Sequence, residues 1–343
     1  MQNNSQTEKK YIGIDIGGTK CSVILGTESA EILDKISFPT ETPQGVDYTL
    51  ARLIESVHKI LKTNTLNNED IEAIGVSCGG PLDSRKGIIL SPPNLPGWDH
   101  IKIKEIIESE FHIRTAVQND ANACALAEWK WGAGKNSRNM VFLTFGTGMG
   151  AGIIVNNHLY TGENDNAGEI GHVRLAPDGP VGYNKAGSFE GFCSGNGIKQ
   201  LAQAKAIEKL EAGESVSFCS SLSELDSISA RDVAEMAKTG DSLSKEVFRI
   251  SAGYLGRGLS ILIDILNPER IIIGSIFQRS EELFRDVMEE IIKAEALQNA
   301  RRVCKIVPAG LGDSIGDFAS LGVALNEAAK NQKVLTKRIS TKI

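Results

Sequence analysis

Near the start of the chain, apolar and polar positions alternate over short runs. YIGIDI, KCSVILG and EILDKISF, all between residues 11 and 38, each have the period of a strand. Gly17-Gly18-Thr19 joins the first two and a short turn joins the second pair, so the segment predicts an antiparallel meander. The arrangement returns between residues 140 and 160 as MVFLTF, Gly146-Thr147-Gly148-Met149-Gly150, AGIIV, an Asn156-Asn157 turn and HLYTG. Two copies of one glycine-bent hairpin predict two related halves.

Between the hairpins the pattern changes to a helical period near 46–62, a strand at 71–77, a Gly/Pro-rich loop from Gly79 to Trp98, a helix near 101–110 and the strand RTAVQ. Meander followed by crossovers predicts α/β layers with a mixed sheet in each half. Residues 161–196 are glycine-rich with little periodicity and read as a long functional loop region. Helices resume at about 197, with a polar excursion at 211–227, long helices near 242–266 and 280–297, and strands at 270–274 and 304–308. A last helix near 314–330 precedes a basic tail that reads as a frayed terminus.

Composition narrows the class. The chain has 343 residues, 41% hydrophobic and 23% charged, which suits two globular domains. A net charge of -6 with no Lys/Arg block argues against a nucleic-acid partner. The polar opening MQNNSQTEKK and the lack of any run of about 18 apolar residues predict a cytoplasmic protein without membrane association. Six cysteines without a C-x-x-C pair predict reduced, mostly buried thiols.

The chemistry concentrates in a few strings. DIGGTK, Asp15 to Lys20, sets a carboxylate at a strand end beside a turn whose missing side chains let backbone N–H groups approach a phosphate. TFGTGMG offers the same backbone at Gly146 and Gly148, with the hydroxyls of Thr144 and Thr147. Either turn alone could serve conformation only, whereas the matched pair points to a polyphosphate, with Asp15 holding Mg2+ directly or through water. No Walker-type loop is present. Gly146 to Ala151 fits a relaxed dinucleotide pattern, but AGIIVNNHLYTG reads as a hairpin rather than the helix that pattern must open. Asp120, after Asn119 at a strand's carboxyl end, is either a helix N-cap or a base that takes the proton of an attacking hydroxyl. Glu169 and His172 in AGEIGH, and Glu190 in SFEG, suit hydrogen bonding to vicinal hydroxyls or are solvated loop residues.

Together, DIGGTK, GGPLD with NLPGW, QNDANA, TFGTGMGAGIIV, AGEIGH and SFEG resemble the ROK family of sugar kinases and sugar-responsive repressors, from about residue 11 to 326. The resemblance implies an actin-like, RNase H-like ATPase fold, two α/β domains with mixed sheets flanking a central cleft. Residues 1–119 plus 314–343 would form the first, and 120–313, carrying the sugar-binding loop region 161–196, the second. It implies Asp120 as general base, with Asn119, Glu169, His172, Glu190, Gly80 and Asn94 on the sugar. Asp15, Gly17, Gly18, Thr19, Thr147 and Gly148 would surround the phosphates of ATP and Mg2+, and Gly274 would lie near adenosine, although Ser275 stands where the family usually has a second glycine. Homodimerisation is a further family-level expectation. Relatives commonly bind a structural zinc through the histidine of the G-H motif and three cysteines; here Val181, Tyr183 and Ser188 occupy the cysteine positions. No zinc is therefore expected, the loop being held instead by packing of Tyr183, Phe189 and Phe192.

These implications lead to an ATP-dependent hexose kinase acting on the sugar 6-hydroxyl, glucose first, with fructose, mannose, allose, N-acetylglucosamine or N-acetylmannosamine as alternatives. The rival is a sugar-sensing regulator, which the ten residues before Tyr11 are too few to equip with a helix-turn-helix.

Overall fold

The structure, a computed structural model, describes residues 8–340, and their side chains as far as Lys330. The chain divides into two compact units. The first takes the chain up to Lys135, Thr161–Asn166 and everything from Asp313 on; the second takes Asn136–Tyr160 and Ala167–Gly312.

In the first unit, β1 (Lys10–Ile16), β2 (Lys20–Thr27) and β3 (Ile32–Pro39) form the expected meander, and β4 (Ile71–Cys78) and β5 (Thr115–Asn119) extend it in parallel, in the order β3-β2-β1-β4-β5. Both faces are covered over the inner strands, so β1, β2 and β4 are almost wholly buried, whereas the edge strand β3 is largely exposed and keeps its alternation. On one face Ile12, Ile14 and Ile16 join Ile74, Val76 and Val117 under α1 (Val46–Thr63) and α2 (Ile103–Phe111), whose Leu53, Val57, Ile107 and Phe111 complete the core. Burying each such side chain contributes about 1.5–3 kcal/mol.

The other face carries the helix Ile315–Ser340. Strand alternation puts Tyr11, Gly13 and Asp15 on this side, and the helix passes over them in reverse order. Gly13 and Gly75, paired across β1 and β4, make the close approach possible: a Cβ built on Gly75 would sit 2.2 Å from the Ser320 carbonyl oxygen, and one on Gly13 would sit 2.3 Å from the Ser320 hydroxyl. The same helix packs on α3 (Asp120–Lys130), where Phe318 meets Trp131, so α3 belongs to the first unit. The helix runs to Ser340 rather than stopping near 330; residues 331–340 contain no Gly or Pro to break it, and only 341–343 of the basic tail lie outside the described residues.

The second unit repeats the topology. β6 (Met140–Leu143), β7 (Ala151–Val155) and β8 (His158–Tyr160) form an antiparallel meander, and β9 (Arg270–Ile273) and β10 (Lys305–Pro308) add in parallel, in the order β8-β7-β6-β9-β10. The β7–β8 turn places Asn156 and Asn157 at φ 52° and 62°, the two-residue geometry that asparagine tolerates. Its core gathers Val141, Leu143 and Ile271 with Leu201 of α4 (Gly195–Glu211), Leu255 and Leu259 of α5 (Ser242–Leu266) and Met288 of α6 (Arg285–Glu295). Helix α6 begins at Arg285 rather than 280, after a 3-10 turn at Glu281–Leu283. All six cysteines are free thiols, four of them buried. Among the described residues no helix is long and apolar enough to cross a membrane.

Candidate active site

Strand ends and glycine turns bring the sequence-selected residues together within each unit. In the first, the turn after β1 is fastened by Gly17 N–H donating to Lys20 O (3.1 Å), by the Thr40 hydroxyl donating to Gly17 O (2.6 Å) and by Thr40 N–H donating to Thr19 O (3.0 Å). Asn94 sits against this turn and against the GGPLD loop at once. A Cβ on Gly18 would lie 2.4 Å from Asn94 O, and one on Gly79 would lie 2.9 Å from Asn94 Oδ1, so any larger residue at 18 would expel the NLPGW segment. Gly80 in turn faces Asn119, whose side chain accepts from Asn122 N–H at 2.8 Å.

That last bond corrects the reading of Asp120 as the N-cap. Asn119 caps α3, and Asp120 is the first helical residue, its Oδ1 accepting from Ala121 N–H at 2.8 Å. The Asp120 carboxyl is open to solvent, yet enough protein surrounds it for desolvation to raise its pKa, against the lowering effect of the Ala121 N–H. Asp15 is pushed up to about 7, chiefly by burial and then by the charges of Asp317 and Asp120, with Lys20 and Lys35 pulling the other way. Lys35 is itself committed, its ammonium 2.6 and 2.7 Å from the two oxygens of Asp317.

Asp317 was not among the residues the sequence singled out. Neither was Asp165, whose buried carboxylate accepts from Ser84 N–H (2.7 Å) and from the Ser84 hydroxyl (2.6 Å), clasping the loop that follows Gly80.

In the second unit, the turn between β6 and β7 closes on itself. Thr144 N–H donates to Gly150 O (3.0 Å), Gly150 N–H to the Thr144 hydroxyl (2.8 Å) and Gly146 N–H to Gly148 O (3.1 Å). The Thr144 hydroxyl is therefore a staple of the loop, whereas Thr147 is exposed at its tip. Glu190 leans onto the same turn, its Oε2 accepting from Met149 N–H at 3.0 Å. Its helix, Phe189–Phe192, is capped by the Ser188 hydroxyl, which accepts from Gly191 N–H at 3.1 Å. AGEIGH runs alongside: Ala151 N–H donates to Gly168 O (2.9 Å), and a Cβ on Gly171 would meet the Cβ of Glu190 at 3.3 Å. Glu169 and His172 flank that contact on an exposed 3-10 turn. Gly274 N–H donates to Leu143 O (3.0 Å) and Ile276 N–H to Phe145 O (2.9 Å), which draws Ser275 up beside Gly146.

The loop expected to rest on Tyr183, Phe189 and Phe192 is held otherwise. Phe189 and Phe192 are buried, but Tyr183 is 70% exposed at the tip of a hairpin, Val181–Gly182 paired with Lys185–Ala186. Polar groups pin that hairpin: Gln200 bonds both N–H and carbonyl of Val181 (2.8 and 2.9 Å), Arg174 donates to Ala186 O (2.8 Å) and Lys185 donates to His172 O (2.8 Å).

A divalent cation that travels with a triphosphate commonly takes only one or two protein carboxylates. Asp15 fits that requirement, because burial first and the charges of Asp317 and Asp120 second resist its ionisation, and a cation would relieve both. Among the described residues no group of three or more His, Cys, Asp or Glu side chains could hold a metal ion.

Two units that repeat one five-stranded mixed sheet, each opened by a glycine-bent hairpin, define an actin-like ATPase fold. Residues 11–324 match the model of the ROK family, and the chain belongs to that family. A glucokinase from Halalkalibacterium halodurans is 30% identical over 312 residues, 90% of this chain and 93% of its own. A ROK family glucokinase from Streptomyces griseus, solved in complex with glucose and AMPPNP, is 27% identical, covers 92% of this chain and 99% of its own, and superposes with a TM-score of 0.71. A xylose repressor from Caldicellulosiruptor bescii is 28% identical over 82% of this chain and 69% of its own.

Proposed function

We propose that this protein is an ATP-dependent hexose kinase with glucose as its first acceptor, and that Asp120 is its general base. The observation that carries this reading is the carboxylate of Asp120 at the head of α3. Asn119 does the capping, so the Asp120 carboxylate, held through Oδ1 by Ala121 N–H, is not needed as the cap, and desolvation raises its proton affinity, the direction a base requires.

In the reaction, the sugar 6-hydroxyl oxygen forms a bond to the terminal phosphorus of ATP while the bond from that phosphorus to the ADP oxygen breaks, and the hydroxyl proton passes to Asp120. Asn119, Gly80, Asn94, Glu169, His172 and Glu190 are the residues proposed to orient the sugar. The turns Gly17–Thr19 and Gly146–Gly148, through the backbone N–H groups not already bonded within them, with the Thr147 hydroxyl and Lys20, receive the phosphates, and Gly274 borders the nucleoside. Mg2+ carried with the triphosphate would neutralise its oxygens, and Asp15 is the residue suited to hold it, directly or through water.

The test is ADP release across glucose, mannose, fructose, allose and the N-acetylated hexosamines, with Asp120→Asn beside the wild type. Turnover should fall by ~10²–10⁴-fold in the variant while glucose binding survives. Near-normal turnover would remove Asp120 from this role. Because a xylose repressor is among the relatives, a sugar-responsive regulator is the second reading; binding of sugar without any ADP release would favour it.

A further inference from the structure

The hairpin tip at Tyr183 is not explained by folding. Gly182 pairs with Lys185, so Tyr183 and Asn184 form a two-residue turn, with φ of 42° and 61°. Such a turn requires left-handed backbone at both central positions and favours Asn-Gly, so an aromatic side chain at the first is strained. Burial does not offset that strain, since the side chain is 70% exposed. Among the described residues its one ring contact is His172, at 6.0 Å between centroids and 78° between planes. The hairpin is meanwhile locked by Gln200, Arg174 and Lys185, so the tip is held in place while its ring faces solvent.

Its neighbours suggest what the ring meets. A Cβ built on Gly182 would lie 2.8 Å from the Cβ of Glu190, and Lys185 reaches the carbonyl of His172, so the hairpin is built against the two groups assigned above to sugar hydroxyls. A pyranose presents hydroxyls at its rim and an apolar C–H face, and sites for such molecules combine a few placed polar groups with aromatic surface.

We infer that Tyr183 is a specificity-determining residue whose ring covers the apolar face of the hexose while His172 and Glu190 hold its hydroxyls. This rests on the acceptor site proposed above. Glucose titration calorimetry on the full chain, with steady-state kinetics and thermal melting, compares the wild type with Tyr183→Asn and Tyr183→Phe. Tyr183→Asn suits the turn, so its melting temperature should equal or exceed that of the wild type. Its glucose Kd and KM should rise ~3–10-fold, with kcat and the KM for ATP changed by less than about twofold. Tyr183→Phe keeps the ring and should keep the glucose Kd. An unchanged Kd in Tyr183→Asn, or an equal loss in Tyr183→Phe, overturns the inference. A wild type that binds glucose but releases no ADP defeats the kinase reading, yet the Kd ratio still decides the role of Tyr183. A wild type that binds none of glucose, mannose and N-acetylglucosamine overturns both.

Discussion

Ser275 follows β9 with φ 56° and ψ −112°, a combination that glycine adopts freely and serine does not. Its hydroxyl forms no capping bond to the short helix Ile276–Arg279, so no cap offsets the strain. Ser275→Gly should therefore stabilise the protein by about 1 kcal/mol, even after glycine's added freedom in the unfolded chain. Thermal melting checks this, and an unchanged or lower melting temperature would show that the strain is absorbed elsewhere. The departure from the family pattern at 275 was legible in the sequence, but its backbone cost was not, because φ is set by Gly274 and Ile276 bonding to β6 and to the turn after it. Tyr183 departs from expectation for a related reason. An aromatic residue in a loop is ordinarily expected to pack, and only the two-residue register of its hairpin turns it outward.

Among elements, the glycine-bent hairpins were the most legible, because the signal that makes them is local: strand alternation on either side of residues whose backbone must bend tightly. The clasp between Asp165 and Ser84 was illegible, since its partners stand 81 residues apart and neither string has a distinctive pattern. The clasp also explains why Thr161–Asn166 packs with the first unit although the chain on both sides belongs to the second. Asp165→Ala would leave the Ser84 N–H and hydroxyl without their charged acceptor, at a cost of about 2–3 kcal/mol. We expect a melting temperature lowered by ~4–8 °C. The KM for glucose should also rise, because the loop bearing Gly80 loses its anchor. Loss of stability with an unchanged KM would confine the clasp to structure.

For the whole molecule, the two acidic groups central to the proposed chemistry are also a stability cost that varies with pH. The chain carries a formal charge of -6, and Asp15 adds an ionisable group whose pKa rises from its ordinary value of 3.8 to about 7 on folding. Between those values the folded protein holds a proton that the unfolded chain has released. Stability is therefore retained below the lower value and lost as pH rises toward the upper one. Asp120 shifts in the same direction. Asp15 keeps partial access to water, which limits the cost at pH 8 to about 1–3 kcal/mol. In metal-free buffer Asp15→Asn should thus be more stable than the wild type at pH 8, and the advantage should shrink as pH is lowered toward 4. The same variant should lose turnover and should gain less thermal protection from a magnesium–nucleotide complex, since it lacks the carboxylate suited to the cation. Paired melting curves across that pH range decide the matter, because an Asn variant no more stable than the wild type at pH 8 would mean that Lys20 and Lys35 already compensate the buried charge.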